Sequence, residues 1–501
     1  MQKQNFPALA ALRAEWKSYR APFIACLLAG LVTHGYAFLN KLVNHDEIES
    51  LFGKGATVTS GRWGLELVKI LFPDWSMPWI YGLVSLLLMA AAVCLMLWML
   101  DIRGRIRQMG LAALVISFPT LTGNFCFMFT SAPYAWAFFL AVLAAALFRR
   151  GGRGDAALSL VLLVLALGIY QAYIAVTASL FVLGMMADAM DARRPVSRIV
   201  LDGVKALGLM ACAIALYYAV TLLVFRFTGA EFNSYVTENV NGKVGLLRRV
   251  RMAYDNFFYI FTFRNFRAIS TEASRYLHIA LAGITLLGMA AVALRRRSTL
   301  HAALLAGLAV LLPLSICCMF LIMSGQSIHT LVLYSFTAVY FLTALVFQRL
   351  EEPRARRAEA LAGLLLAAVV MSNVYFANMT YLKLQLQFEN ARAFYTVLTA
   401  RLTHTEGFDE NTRLAFTGEQ RALLHSFPEL DTELLQGPSR DLINIYSREN
   451  FLRYYLGFDI PFADEEECAA LAEDPRVQAM SGYPYEGSVQ KIGDCMVVKL
   501  G

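Results

Sequence analysis

Charge is what this sequence has little of. Only 16% of its residues are Asp, Glu, Lys or Arg, against about 25% in soluble chains. The mean hydropathy is +0.53. These values exclude a wholly water-soluble fold. Apolar runs of about 18 residues or more recur, the length needed to span a hydrocarbon core. The class is an all-α polytopic membrane protein. The formal net charge of +7 then reflects cytoplasmic Lys and Arg, and no nucleic-acid partner is expected.

Other absences narrow the function. No Walker motif, HExxH, GxSxG or dinucleotide fingerprint occurs, so a nucleotide-sugar donor is not expected. No C-x-x-C spacing occurs, and the cysteines give no metal signature. Cys26, Cys94, Cys126, Cys212, Cys317 and Cys318 lie in or beside apolar segments, where they read as small core residues. There is no internal repeat and no low-complexity tract. No small-x-small site closes the first apolar run, which is expected to stay as an anchor. None of the spans carries Asp, Glu, Lys or Arg near its middle. Intramembrane ionisable groups mark ion-coupled transporters, so their absence argues against one.

What is present is a regular alternation. Eleven spans are expected, near 22–39, 78–100, 110–124, 130–148, 156–169, 170–187, 203–226, 276–294, 300–323, 328–348 and 359–378. Lys3, Arg13, Lys17 and Arg20 precede the first. Arg103, Arg105 and Arg107 follow the second, and Arg149, Arg150 and Arg153 the fourth. Arg193, Arg194, Arg198 and Lys205 follow the sixth, and Arg295, Arg296 and Arg297 the eighth. Arg349, Arg354, Arg356 and Arg357 follow the tenth. Every second connection is basic, as a cytoplasmic side should be. The expected topology is N-terminus inside and C-terminus outside.

The outer side then holds the polar chemistry. It comprises a first loop over 40–77, a long loop over 227–275, and a tail over 380–501. The membrane part is expected over 1–379. The tail turns polar and should fold as a small mixed α/β domain. Cys468 and Cys495 lie in it, and an oxidising compartment favours a disulfide between them.

Four groups of residues are candidates. Asp46-Glu47 stands where the first span meets water. Two readings are open: solvated helix-end carboxylates, or a general base that takes the proton from a sugar hydroxyl. Arg62-Trp63 opens an amphipathic run in which Trp63, Leu67, Ile70 and Leu71 share one face. It reads either as a plain interfacial anchor or as a place where Arg62 holds a lipid phosphate. The 227–275 loop carries Lys243, Arg248, Arg249, Arg251, Arg264, Arg267 and Arg275 against the charge rule, interleaved with aromatics. A second interfacial helix is the plain reading. The sharper one adds that one or two Arg forks hold a phosphodiester and stabilise its leaving charge. Tyr170-Gln171-Ala172-Tyr173, and Gln326, Ser327 and His329, lie at outer corners. They read as belt residues or as sugar contacts.

Asn44-His45-Asp46-Glu47, Ser60-Gly61-Arg62-Trp63, Gly168–Tyr173 and the tail from about Asn378 occur in an order and topology that carry a resemblance. The chain resembles the GT-C superfamily of polytopic glycosyltransferases. Within it the chain is most similar to the phage-type serotype-converting O-antigen glucosyltransferases. The resemblance implies a multi-pass protein of the bacterial inner membrane with its active site facing the periplasm. It implies an undecaprenyl-phosphate sugar donor, supplied by a separate flippase and a polyprenyl-phosphate glucosyl synthase. The acceptor would be a glycan on a lipid carrier, typically O-antigen, and transfer would be inverting. Asp46 or Glu47 would be the base, with Asp46 preferred. His45, Trp63, Tyr170, Gln171, Tyr173, Gln326 and His329 would line the substrates, and Arg62, Arg248, Arg249 and Arg251 the donor phosphate. No cofactor is expected. A divalent metal on the paired carboxylates is disfavoured, because an Arg-held monophosphate does not require one. Two rival functions remain at this point: a flippase or exporter of lipid-linked oligosaccharide, and an O-antigen ligase or polymerase.

Overall fold

The structure is a computed structural model that describes residues 9–52, 57–73, 75–240, 244–261, 272–296, 298–322, 330–350, 353–409, 411–418, 430 and 443–500. The membrane part begins with α1 (Leu9–Leu39), followed by the short α2 (His45–Glu49) and α3 (Trp63–Val68). Next come α4 (Pro78–Met99), α5 (Arg105–Ser117), α6 (Pro119–Cys126), α7 (Met128–Arg150) and α8 (Arg153–Ile169). Then follow α9 (Ile174–Asp191), α10 (Val196–Thr228), α11 (Ser234–Val240), α12 (Leu246–Phe261), α13 (Glu272–Arg296), α14 (Thr299–Ile316), α15 (Ala338–Phe347) and α16 (Pro353–Thr403). Among the described residues nine helices are long and apolar enough to cross a membrane, and Gly154–Ile169 and Tyr334–Phe347 are shorter apolar helices. Each of these segments overlaps one of the eleven expected spans.

The basic connections meet at one end of the bundle and are tied to each other. Arg349 forks onto Asp191 (2.7 and 3.1 Å). Arg149 and Arg194 share Asp188, each at 2.9 Å. Arg107 pairs with Glu359. The alternation read from the sequence is therefore a physical clustering, and the first loop lies at the opposite end.

The third span is broken where 110–124 was expected to be continuous. Phe118 is extended (φ −62°, ψ 136°) between α5 and α6. The reason is Pro119, which has no N–H and disfavours helical geometry in the residue before it. The break frees the Ile116 carbonyl, which cannot stay unpaired in a hydrocarbon interior. His34 of α1 reaches it through Nε2 at 2.8 Å. A carbonyl only accepts, so Nε2 carries the proton and Nδ1 accepts from the Tyr381 hydroxyl at 2.7 Å. One Pro thus explains a three-helix polar tie.

The C-terminal part grows out of the membrane part without a joint. Helix α16 runs for 51 residues, about 75 Å at 1.5 Å per residue, against a hydrocarbon core of about 30 Å. The boundary drawn at 380 falls inside it. Beyond it lie β1 (Arg413–Thr417), α17 (Ile445–Leu456), α18 (Glu465–Ala472), α19 (Pro475–Gln478), β2 (Val489–Ile492) and β3 (Cys495–Lys499). The sheet order is β1-β3-β2, with β1 parallel and β2 antiparallel to β3. Met496 and Val498 of β3 face a core built with Tyr395, Leu398 and Leu402 of α16. Val43 and Ile48 of the first loop belong to that same core. Cys495 and Val497 point to the other face, as the period of two requires, into a cluster with Val477 and Met480.

The disulfide expected between Cys468 and Cys495 needs correcting. Both cysteines border that second cluster, and both thiols are free. The Cys468 thiol is turned to the Ala463 carbonyl at 3.8 Å. Cys495 is buried on its strand.

Candidate active site

The first loop is built around a capped single turn. Asn44 is the N-cap of α2, and its Oδ1 accepts from the Glu47 N–H at 2.8 Å. Asn caps well because its short side chain reaches an orphan donor of the first turn. The same side chain donates from Nδ2 to the Cys126 carbonyl at 2.6 Å. It therefore pins α2 to the end of α6.

The two carboxylates, adjacent in sequence, part company here. Glu47 points inward and is fully buried. Its Oε1 accepts from Lys41 Nζ and from Ser76 Oγ. Its Oε2 accepts from the Phe129 N–H at 3.2 Å, in the first turn of α7, where a negative charge is favoured. Asp46 points the other way and remains 45% exposed. Its Oδ1 accepts from the Tyr446 hydroxyl at 2.7 Å. His45 Nε2 lies 3.7 Å from the same oxygen, and the His45 ring meets the Tyr446 ring edge-on at 5.8 Å. Of the two carboxylates, Asp46 is the one open to solvent.

Arg62 lies on the second wall. Its Nη1 donates to the Tyr134 hydroxyl at 3.0 Å, and its guanidinium stands 5.6 Å from the Tyr170 ring centre. Tyr134 and Tyr170 stack at 4.2 Å. Tyr134 sits five residues along α7 from Phe129, about 7.5 Å of rise. The start of α7 therefore carries both the Glu47 and the Arg62 contacts.

The face expected for Arg62-Trp63 needs correcting. Trp63 does not lie with Leu67, Ile70 and Leu71 on one lipid-facing stripe. Trp63 is 7% exposed, whereas Ile70 is 92% exposed. The helix ends at Val68, so helical periodicity no longer governs the later residues. Trp63 instead stacks on Tyr217 of α10 at 6.5 Å and presses on Gly168. A Cβ at Gly168 would fall 2.6 Å from the indole ring, and one at Gly64 only 2.7 Å from the Gly168 backbone. These two glycines let α3 and the end of α8 touch.

The remaining expected contacts divide. Gln171 is engaged with the Ser60 carbonyl (3.0 Å) and the Tyr217 hydroxyl (2.8 Å). Tyr170 and Tyr173 are both buried and brace each other edge-on at 5.1 Å. Arg249 donates to the Val244 and Leu321 carbonyls at 2.8 and 3.0 Å and so anchors α12. Arg248 and Arg251 are exposed on the same helix, with Arg251 3.4 Å from Asp255. Arg275 stands in α13. Lys243, Arg264, Arg267, Gln326, Ser327 and His329 lie outside the described residues. Among the described residues no group of three or more His, Cys, Asp or Glu is placed to hold a metal ion.

The model of one protein family, glucosyl transferase GtrII, matches residues 35–347. That is more than half of the chain. The chain belongs to the GtrII glucosyl transferase family. It is a membrane glycosyltransferase. The matched stretch takes in α2, α3 and α12 and stops before α16. It contains Asp46, Glu47, Arg62 and Tyr170 but not Tyr446. No curated protein matches the chain, and no solved structure does. Membership in GtrII sets aside a pure flippase.

Several residues of this site escaped the sequence reading: Lys41, Ser76, Tyr134, Tyr217 and Tyr446. Lys41 was within reach, since it precedes Glu47 by six residues at the same helix end. Ser76 lies later in the same loop, and Tyr134, Tyr217 and Tyr446 come from helices far off in the chain.

Proposed function

We propose that this enzyme transfers glucose, or another hexose, from a polyprenyl-phosphate donor to a cell-surface glycan on a lipid carrier, such as O-antigen. The reaction would take place on the outer face of the bacterial inner membrane. The observation that carries the reading is the split of the carboxylate pair. A buried, fully engaged Glu47 holds the loop, and an exposed Asp46 stands beside it with its Oδ2 turned to no described partner.

In this reading Asp46 Oδ2 takes the proton of the acceptor hydroxyl. The oxygen then attacks the anomeric carbon as the bond to the donor phosphate breaks, which inverts that centre. The leaving lipid phosphate carries the charge away, and a fixed cation nearby lowers the barrier. Arg62 is the candidate within the first loop. Arg248 and Arg251 are candidates on α12, an amphipathic helix suited to an anionic membrane surface. His45, beside Asp46 and partly exposed, is the candidate sugar contact of the first loop. Functional partners are a sugar-lipid flippase and a polyprenyl-phosphate glucosyl synthase. No metal takes part.

The test uses membranes of the expressing strain with no ion gradient. They receive radiolabelled glucosyl polyprenyl phosphate or, separately, a polyprenyl-pyrophosphate oligosaccharide. Label passing from the monophosphate lipid into lipid-linked glycan is the expected result. Transfer from the pyrophosphate lipid alone would instead make the enzyme a ligase or polymerase.

A further inference from the structure

The first loop is read by a helix about 400 residues away. Three contacts join α17 to it in register. Tyr446 donates to Asp46 at 2.7 Å. Asn450 Nδ2 donates to Glu49 Oε2 at 2.7 Å. Tyr454 meets Phe52 edge-on at 5.2 Å. The spacings are 446, 450, 454 on one side and 46, 49, 52 on the other. Steps of three and four place residues on one helical face, so one ridge of α17 lies along Asp46 and Glu49 of α2, and Phe52, beyond the end of α2, extends the contact. Beneath it Ile48 packs with Phe451 and Leu452 in one core.

A helix of five residues does not hold its own geometry in water, because nucleation is unfavourable and little propagation follows. Helix α2 keeps its shape through what it docks on. Asn44 fixes its start from the membrane side, and α17 fixes its outer face. Helix α17 contacts two α2 carboxylates, Asp46 and Glu49, and both are open to solvent; Asp46 is the one taken above as the base.

We infer that Tyr446 is a positioning residue for the transfer reaction: its hydroxyl holds Asp46 Oδ1 so that Oδ2 is presented to the acceptor hydroxyl. This inference rests on the reading of Asp46 as the base. A carboxylate free to spin about its last bond spends most of its time misaligned, and one fixed oxygen removes that freedom. The Tyr446 hydroxyl is suited to the task. Burial first, and then the Asp46 carboxylate, push its ionisation up, so it remains a donor. The C-terminal part thereby becomes a component of the active site, although it lies beyond the matched family region.

The test measures initial rates of transfer from radiolabelled glucosyl polyprenyl phosphate in membranes, normalised to enzyme abundance, over a range of donor concentrations. Tyr446→Phe keeps the ring and loses only the hydroxyl. The expected result is a fall in kcat of about 10- to 100-fold, the worth of one hydrogen bond to a charged group, with KM for the donor unchanged. Asn450→Ala breaks the neighbouring contact and is expected to stay within about threefold of wild type. An equal loss in Asn450→Ala would assign the effect to docking and overturn the inference. A wild-type kcat in Tyr446→Phe, with Asp46→Asn inactive, would overturn it while leaving the base intact. Full activity in Asp46→Asn would overturn both.

Discussion

Lys41→Met should damage this protein without touching its chemistry. The Glu47 carboxylate is fully buried and held by one ammonium, one hydroxyl and one backbone N–H. The substitution keeps the length of the side chain and removes the charge. The carboxylate then keeps only two neutral donors. Breaking one half of a buried ion pair costs about 3–5 kcal/mol, because an uncompensated charge is left behind. That is two to four powers of ten in the equilibrium between the ordered and disordered loop. The expected outcome is a lower unfolding temperature in detergent and a lower abundance in membranes. The double variant Lys41→Met/Glu47→Leu removes the stranded charge and should recover much of the loss. The cycle should show a coupling well above the 0.5 kcal/mol expected of independent sites. Wild-type thermal stability in Lys41→Met would refute the account of Glu47 as a structural carboxylate.

Other outcomes follow from the same geometry. Gly168→Ala puts a Cβ 2.6 Å from the Trp63 ring, and overpacking of this kind costs about 1–3 kcal/mol; a thermal-shift assay should show it, and Gly208→Ala, which meets nothing within 4 Å, should not. Arg62→Lys keeps the charge but loses the planar fork and the bond to Tyr134; donor KM should rise several-fold or kcat fall by a similar factor, and unchanged kinetics would remove Arg62 from the donor site. Arg248→Ala/Arg251→Ala should weaken the response of activity to added anionic lipid, with the difference vanishing at high salt. Activity should survive a chelator, and restoration of lost activity by Mg²⁺ or Mn²⁺ would reverse the expectation that no metal takes part.

Much of the fold is visible in the sequence because the bilayer imposes it. Spans at 78–100 and 276–294 reappear as helices Pro78–Met99 and Tyr276–Arg295, since length and hydropathy alone decide them. The charge alternation also survives, as the ties of Arg349 and Arg149 to the end of α9 show. Local exceptions were harder to see. Pro119 announces a break, yet the run around it is apolar enough to read as continuous. Trp63 has the hydropathy of a lipid-facing residue and goes inward because two glycines admit it.

The site was half legible. Asp46 and Glu47 share the same local surroundings in the sequence, so nothing there separates an exposed carboxylate from a buried one. Their difference comes from Lys41, Ser76 and Phe129 on one side and Tyr446 on the other. Two of those four, Phe129 and Tyr446, stand on distant helices, and pairing across so many residues leaves no periodicity to read. The same holds for Gln171, whose outer position suggested a sugar contact and whose amide is occupied by Ser60 and Tyr217.

The most direct test of the account sets two conservative variants side by side. Asp46→Asn and Glu47→Gln are expressed in full-length protein, and initial rates of glucosyl transfer are divided by enzyme abundance and set beside thermal stability. Asp46→Asn is expected to be as abundant and stable as wild type, with a rate lower by about 10²- to 10⁴-fold, the range for loss of a general base. Glu47→Gln is expected to lose abundance and stability while the surviving enzyme keeps measurable turnover. A stable Asp46→Asn enzyme working at the wild-type rate would contradict the account.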